Sequence, residues 1–125
     1  MGAILVVDDD QDLRASVALV LSDAGYNVIE ASDGRHAIPI LRDQAIDLLV
    51  TDLVMPDTDG MELVRSLAAK PDRPAIIVMS GHHGETRGGY LELAGRLGAD
   101  CTLKKPFKAE ALLEAVRQVK LLKPA

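Results

Sequence analysis

The sequence predicts an α/β fold in which a five-stranded parallel sheet is covered by helices on both faces. Five short apolar runs alternate with longer segments of helical periodicity. Most of these runs are continuous rather than alternating, which is typical of strands that are buried on both sides. No repeat, linker or low-complexity stretch interrupts the order, and 125 residues are enough for one domain but not for two. We therefore expect residues 1–125 to form a single doubly wound domain.

The strands and four of the five helices are predicted from simple patterns. The strands are AILVV (3–7), NVIEA (27–31), DLLVT (47–51), AIIVM (75–79) and CTL (101–103). The first helix carries an apolar stripe from Leu13 to Ala24 and ends at Gly25. Asp33 is expected to cap the second helix, in which Pro39 removes one backbone hydrogen bond and should cause a kink. Apolar stripes predict the third and the last helix: Met61, Val64, Leu67 and Ala68, then Leu112, Leu113, Val116 and Val119.

Composition excludes several classes of protein. The net charge of −5 argues against direct binding to nucleic acid, because a phosphate backbone needs a basic surface. Cys101 is the only cysteine, so no disulfide framework is possible, and we expect a small core residue in a protein of the reducing cytoplasm. The sequence shows no signal peptide and no apolar run of the length that spans a membrane, so we expect no membrane association.

Carboxylates follow the ends of two predicted strands. Asp8 and Asp9 follow the first strand, and Asp52 follows the third. In the flavodoxin-like strand order, 2-1-3-4-5, these strands are neighbours, so the three side chains should share one pocket at the carboxyl edge of the sheet. Two unit charges 4 Å apart repel by about 4 kcal/mol at an effective dielectric constant of 20, so the cluster needs protonation or a cation. Oxygen ligands with open positions suit Mg²⁺, or Mn²⁺ in its place.

Two further polar residues follow neighbouring strands. Ser80 ends the fourth strand and Lys105 follows the fifth, so a hydroxyl group and an ammonium group reach the same edge as the carboxylates. The simpler alternative for an aspartate run is a solvated loop that caps a helix, and we assign that role to Asp10. Ser80 and Lys105 argue against it for Asp8 and Asp9.

Four segments in this order and spacing carry a family resemblance: VVDDD (6–10), TDLVMPDTDG (51–60), MSG (79–81) and LKKPF (103–107). The chain resembles, over essentially its whole length, the response-regulator receiver domain of two-component signalling. The resemblance implies that Asp52 is the phosphoacceptor. It also implies a Mg²⁺ site in which Asp9 is a direct ligand, Asp8 acts largely through water, and the backbone carbonyl of Val54 contributes.

The resemblance assigns the remaining site residues and the partners. Ser80 would donate a hydrogen bond to the phosphoryl group, Lys105 would form an ion pair with it, and the Lys105–Pro106 peptide would be cis. The phosphoryl group would come from a sensor histidine kinase or a phosphotransfer protein. The domain would then act as a switched protein-binding module rather than a turnover enzyme, without direct DNA binding, and its downstream protein target is left open.

The sequence departs from the family pattern around the expected switch. Thr102 stands where the family usually has Tyr or Phe, so the usual aromatic movement is not available. The interval between Ser80 and Lys105 looks about three residues longer than usual, with the excess near 82–90, a feature of receivers that often stand alone. We therefore expect a fourth, weakly held helical segment and the fifth strand to form the partner surface, which includes Gly81, His82, His83, Gly84, Gly88, Gly89 and Thr102. The alternative is that these glycines only form a flexible loop with no role in signalling.

Two other functions are compatible with the predicted fold. A flavin-binding protein would need a phosphate-binding loop rich in Ser, Thr or Gly after the first strand, where this chain has carboxylates. An aspartate-nucleophile phosphohydrolase would carry an Asp-x-Asp pattern, which Asp8 and Asp10 satisfy, but Gln11 and Asp12 do not continue it and Asp52 would have no role. A metal site at His82 and His83 is disfavoured, because no further His or Cys ligand lies nearby in the sequence.

Overall fold

The computed structural model describes residues 2–52, 60–68, 72–80 and 98–122. These residues form one five-stranded sheet with the order β2-β1-β3-β4-β5, and all neighbouring strands are parallel. The strands are β1 (Ala3–Val7), β2 (Val28–Ala31), β3 (Ile46–Asp52), β4 (Ala75–Ser80) and β5 (Cys101–Lys104). The predicted α/β class, strand order and strand positions are confirmed.

Four of the five predicted helices fall within the described residues. They are α1 (Gln11–Asp23), α2 (Gly34–Asp43), α3 (Gly60–Ala68) and α4 (Ala109–Leu122), the last being the fifth of the predicted helices. The predicted helical segment that opens at Gly84 lies outside the described residues. Nor is any helix of the described part long and apolar enough to cross a membrane.

The central strands are buried on both faces, as their continuous apolar sequences predict. On one face, side chains of β1, β3 and β4 pack against α1 and α4, with Leu21 and Val116 fully buried. On the other face, the alternate side chains of the same strands pack against α2 and α3, with Ala37 and Val64 fully buried. Because both faces are covered, the ends of the strands are left to carry polar side chains.

The loops after β1 and β2 end in residues that start helices. A side-chain oxygen of Asp10 accepts a hydrogen bond from the N–H of Leu13 at 3.1 Å, and Asp33 accepts one from the N–H of His36 at 2.9 Å. Both aspartates are therefore N-caps, as predicted. At the other end of α1, Gly25 adopts a φ of +99°, a value that favours glycine after a helix. Helix α2 continues through Pro39, which is exposed, as far as Asp43.

A bidentate ion pair fastens the start of β5 to β4 at the edge of the sheet opposite the acidic residues. Nη1 and Nη2 of Arg73 donate to the two carboxylate oxygens of Asp100 at 2.8 and 3.1 Å. The same carboxylate accepts the N–H of Ile76 at 2.8 Å, and the N–H of Asp100 donates to the carbonyl of Ile76 at 2.8 Å. These contacts hold β5 in register at its beginning, four residues before its end.

Candidate functional site

The acidic side chains that follow β1 and β3 lie together. Oxygen atoms of Asp8, Asp9 and Asp52 are all within 4.8 Å of one another. The cause is the parallel pairing of β1 with β3, in which Val7 is opposite Thr51, so that the residues that follow them emerge side by side. Asp8 is fully buried and Asp52 nearly so, whereas Asp9 is exposed. The predicted convergence of the three carboxylates is confirmed.

Asp8 accepts hydrogen bonds on both of its oxygens. Oδ1 accepts the N–H of Asp10 at 2.9 Å, and Oδ2 accepts Nζ of Lys105 at 3.0 Å. Burial raises the pKa of Asp8, and the two hydrogen bonds offset that increase only in part. The neighbours of Asp8 therefore compensate only part of the cost of keeping it ionised, and an additional cation at the site would lower that cost further.

Lys105 connects the carboxylates across the edge of the sheet. Its Nζ donates to Asp8 and, at 3.1 Å, to Oδ1 of Asp52, while its own N–H donates to the carbonyl of Ser80 at 2.7 Å. Burial lowers the pKa of Lys105, but the hydrogen bond to Asp8 and the charges of Asp52 and Asp8 outweigh it, so the pKa is raised overall. Lys105 is therefore held as an ammonium ion. The peptide bond between Lys105 and Pro106 is cis, as the resemblance implied.

Ser80 and Thr102 belong to the strands beside the acidic cluster. Ser80 is the buried last residue of β4, one position beyond Met79, which is opposite Asp52. Thr102 is half-buried in β5 and pairs with Val78. The other predicted site and switch residues lie outside the described residues: Val54, Gly81, His82, His83, Gly84, Gly88 and Gly89. Cys101 packs against the core on the α1 and α4 face, and burial raises the pKa of its thiol.

The donor set fits a hard divalent cation. Three carboxylates converge, and the ammonium of Lys105 is the cation that the described residues place among them. Clusters of exposed acidic residues are common without a metal, but two of these three aspartates are buried at a strand end. Carboxylate oxygens are the ligands that Mg²⁺ and Mn²⁺ prefer, and the exposed Asp9 leaves the site open to water and to a second ligand.

One residue of the site was not predicted from the sequence. Nη1 of Arg14, in the first turns of α1, donates to the backbone carbonyl of Asp8 at 2.8 Å, and its Nε donates to Oε1 of Glu30 at 3.1 Å. The available signal was its spacing: Arg14 lies four residues after the cap Asp10, and helical side chains lean towards the N-terminus of their helix. A long cationic side chain at that position can return to the strand end.

Comparison with known proteins agrees with this α/β fold. Residues 4–117 match the family of the response regulator receiver domain, and the chain belongs to that family of two-component signalling proteins.

Two relatives show how similar the chain is to known proteins and how much of each protein it covers. The chain is 36% identical over 121 residues to the transcriptional regulatory protein CpxR of Escherichia coli K12, covering 95% of this chain and 49% of that protein. It is 40% identical over 116 residues to the response regulator MprA of Mycolicibacterium vanbaalenii, covering 91% and 48%. The chain thus spans about half the length of the curated relatives that it matches here.

Solved structures of receiver domains are similar over nearly their whole length. The receiver domain of NtrX from Brucella abortus superposes with a TM-score of 0.85 at 31% identity, covering 98% of this chain and 99% of that chain. The chemotaxis response regulator CheY4 of Vibrio cholerae gives a TM-score of 0.82 at 30% identity, covering 95% and 98%. The flavin-protein and hydrolase alternatives are not supported by these matches.

Proposed function

We propose that the protein is a phosphoacceptor receiver in which Asp52 takes a phosphoryl group from a sensor histidine kinase or a phosphotransfer protein. The observation that carries the proposal is the position of Asp52, nearly buried at the end of β3, among Asp8, Asp9 and the ammonium of Lys105. A nucleophilic carboxylate beside a fixed cation is the arrangement that an acyl phosphate requires.

The chemistry follows from the charges of these residues. An oxygen of the Asp52 carboxylate attacks phosphorus, a new O–P bond forms, and the bond from phosphorus to the donor breaks with its electron pair leaving on the donor. The carboxylate has no proton to lose, so the attack needs no general base. Nζ of Lys105 lies 3.1 Å from Oδ1 of Asp52 before the reaction, and after it the ammonium group would form an ion pair with the phosphoryl oxygens. Because its raised pKa keeps it protonated, this pairing persists at neutral pH.

Asp8, Asp9 and Asp52 would hold Mg²⁺ or Mn²⁺, with the backbone carbonyl of Val54 as a further ligand by family resemblance. When bound, the ion supplies positive charge to the phosphoryl oxygens. Both oxygens of Asp8 already accept hydrogen bonds, whereas Asp9 is exposed, which supports a direct role for Asp9 and a water-mediated one for Asp8. Ser80, buried at the end of β4 and bonded to Lys105 through its carbonyl, is suited to donate its hydroxyl to the phosphoryl group.

We also propose how phosphorylation is reported. A receiver needs an element with two arrangements of similar energy between its site and its partner surface. Thr102 is too small to act as the aromatic switch side chain. Ser80 and the segment 81–91, which includes His82, His83 and four glycines, would therefore carry the change. Hydrogen exchange with and without beryllofluoride tests this, because the segment should show the largest change. A larger change in α1 than in 81–91 would rule it out.

We propose that residues 1–125 form one domain that acts in the cytoplasm as a binding module rather than a turnover enzyme. Its partners would be proteins, and it would not contact DNA directly. The net charge of −5 supports the last point. Salt-sensitive, submicromolar binding of the chain to a DNA duplex would contradict it.

Stoichiometry separates this function from its alternatives. With acetyl phosphate and Mg²⁺ in excess, a receiver takes up at most one phosphoryl group per chain and releases it slowly. A hydrolase would instead release many equivalents of phosphate from simple phosphate esters, and a flavin protein would be yellow. Phosphate release and the visible absorption spectrum, measured on one sample, decide among the three. Rapid multiple turnover of esters would contradict the proposal.

A further inference from the structure

A charged pair outside the carboxylate cluster contacts the backbone that carries it. Nη1 of Arg14 donates to the main-chain oxygen of Asp8 at 2.8 Å, and Nε of Arg14 donates to Oε1 of Glu30 at 3.1 Å. The Arg14 side chain is 16% exposed and that of Glu30 43%. The guanidinium group of α1 therefore joins β2 to the first residue after β1.

A contact to the carbonyl group of Asp8 can determine the orientation of the Asp9 side chain. The N–H of Asp8 donates to the carbonyl of Ala31 at 3.2 Å, so β2 holds the nitrogen side of this residue. Its carbonyl oxygen belongs to the planar peptide that leads to Asp9. A hydrogen bond from Arg14 to that oxygen restricts the orientation of this peptide plane, and with it the direction in which the exposed side chain of Asp9 points.

We propose that Arg14, oriented by Glu30, is a positioning residue for the cation site: it sets the Asp8–Asp9 peptide so that both carboxylates face one ion. The inference rests on the metal dependence that the proposed function contains. Neither Arg14 nor Glu30 is one of the proposed metal ligands, and both would act through the backbone of Asp8. Groups that orient metal ligands commonly change affinity by about 10-fold to 100-fold when they are removed.

Charge and positioning predict opposite effects for the loss of Arg14. Arg14 brings a positive charge close to a site that binds a cation, so by charge alone its removal should tighten Mg²⁺ binding. If Arg14 positions the ligands, its removal should weaken binding even though a repulsive charge is lost. The sign of the change in affinity therefore distinguishes the two roles.

The experiment compares Mg²⁺ affinities of the full chain by amide NMR titration. Arg14→Ala should bind Mg²⁺ about 10-fold more weakly than the original protein. Arg14→Lys should recover part of that loss, since an ammonium group can still donate to the Asp8 carbonyl. Glu30→Gln should lose less, because an amide oxygen still accepts from Arg14. The control Arg117→Ala removes the same charge from an exposed ion pair with Glu114 and should leave the affinity unchanged.

Thermal unfolding in EDTA and in a fixed excess of Mg²⁺ supplies the second measurement. A positioning role predicts a smaller rise in Tm on adding Mg²⁺ for Arg14→Ala than for the original protein. A purely structural role would lower both Tm values equally and leave the rise intact, which would overturn the inference, as would equal or tighter Mg²⁺ binding by Arg14→Ala. If Arg14→Ala does not fold, Arg14→Lys and Glu30→Gln decide. Failure of the original protein to bind Mg²⁺ would instead refute the metal dependence itself.

Discussion

Nζ of Lys105 lies 3.1 Å from Oδ1 of Asp52, although the two residues are 53 positions apart in the chain. Asp52 is the last residue of β3, and Lys105 follows β5, with β4 between them. Lys105 therefore reaches past the end of β4, where its own N–H is bonded to Ser80, to meet a carboxylate two strands away. A parallel sheet makes this contact possible, because all of its strands deliver their carboxyl ends to one edge.

Replacing this lysine should slow phosphorylation. Lys105→Met removes the cation that the phosphoryl oxygens would meet, and the loss of one such preorganised partner costs about 100-fold or more in rate. Phosphate uptake from acetyl phosphate in Mg²⁺ should fall accordingly. The matched control is Lys104→Met, an exposed neighbour, which should retain the original rate. Equal phosphorylation rates for the two variants would show that Lys105 does not take part in phosphoryl transfer.

The three consecutive aspartates should differ in their effect on Mg²⁺ binding. We expect Asp9→Ala to weaken Mg²⁺ binding most, Asp8→Ala less, and Asp10→Ala least, because Asp10 caps α1 instead of facing the cluster. Loss of the cap should instead destabilise the fold by about 1 kcal/mol. Metal titration followed by NMR gives the ranking, and thermal unfolding in EDTA gives the effect of the cap. An Asp10 effect on affinity as large as that of Asp9 would show that the ligands are misassigned.

The ion pair at the opposite edge should be important for stability. Asp100→Ala leaves the mostly buried guanidinium of Arg73 and the N–H of Ile76 without their shared acceptor. Hydrogen bonds to charged groups contribute about 1.5–3 kcal/mol each, so we expect a loss of at least about 2 kcal/mol in the free energy of unfolding. Asp43→Ala, which breaks a solvent-exposed pair with Arg42, should cost much less. Urea unfolding measures both, and similar losses would contradict the assignment.

Cys101 should be a poor nucleophile at neutral pH. Burial raises the pKa of its thiol, so the reactive thiolate is scarcer at pH 7 to 8 than in an unfolded chain. Alkylation by iodoacetamide should therefore be slower in the folded protein than in urea, and its rate should continue to rise at pH values above the ordinary thiol pKa. Mass spectrometry of timed samples gives both rates. A folded-state rate equal to that in urea would show that the thiol is neither buried nor shifted.

The sequence was sufficient for the features that depend on local patterns. Continuous apolar runs predicted the buried strands, and Asp10 and Asp33 were recognisable as caps because a cap acts within three residues of itself. The rule that ligands collect at the carboxyl ends of parallel strands then brought Asp8 and Asp52 together.

Contacts between distant side chains and backbone atoms could not be predicted in this way. Arg14 binds a main-chain carbonyl, which every residue possesses, so no residue type marks the partner in the sequence. Arg73 and Asp100 are 27 residues apart, and each resembles an ordinary surface charge until β4 and β5 are paired. Such contacts depend on the three-dimensional arrangement and require the structure.

Intact-mass spectrometry after incubation with acetyl phosphate tests most directly whether Asp52 is the phosphoacceptor. With Mg²⁺, the protein should gain the mass of one phosphoryl group, and Asp52→Asn or an excess of EDTA should abolish the gain. The substitution keeps the size of the side chain and removes its charge, so a loss of labelling would reflect the missing nucleophile. Unchanged phosphoryl uptake by Asp52→Asn, or by the original protein in EDTA, would contradict the central claim.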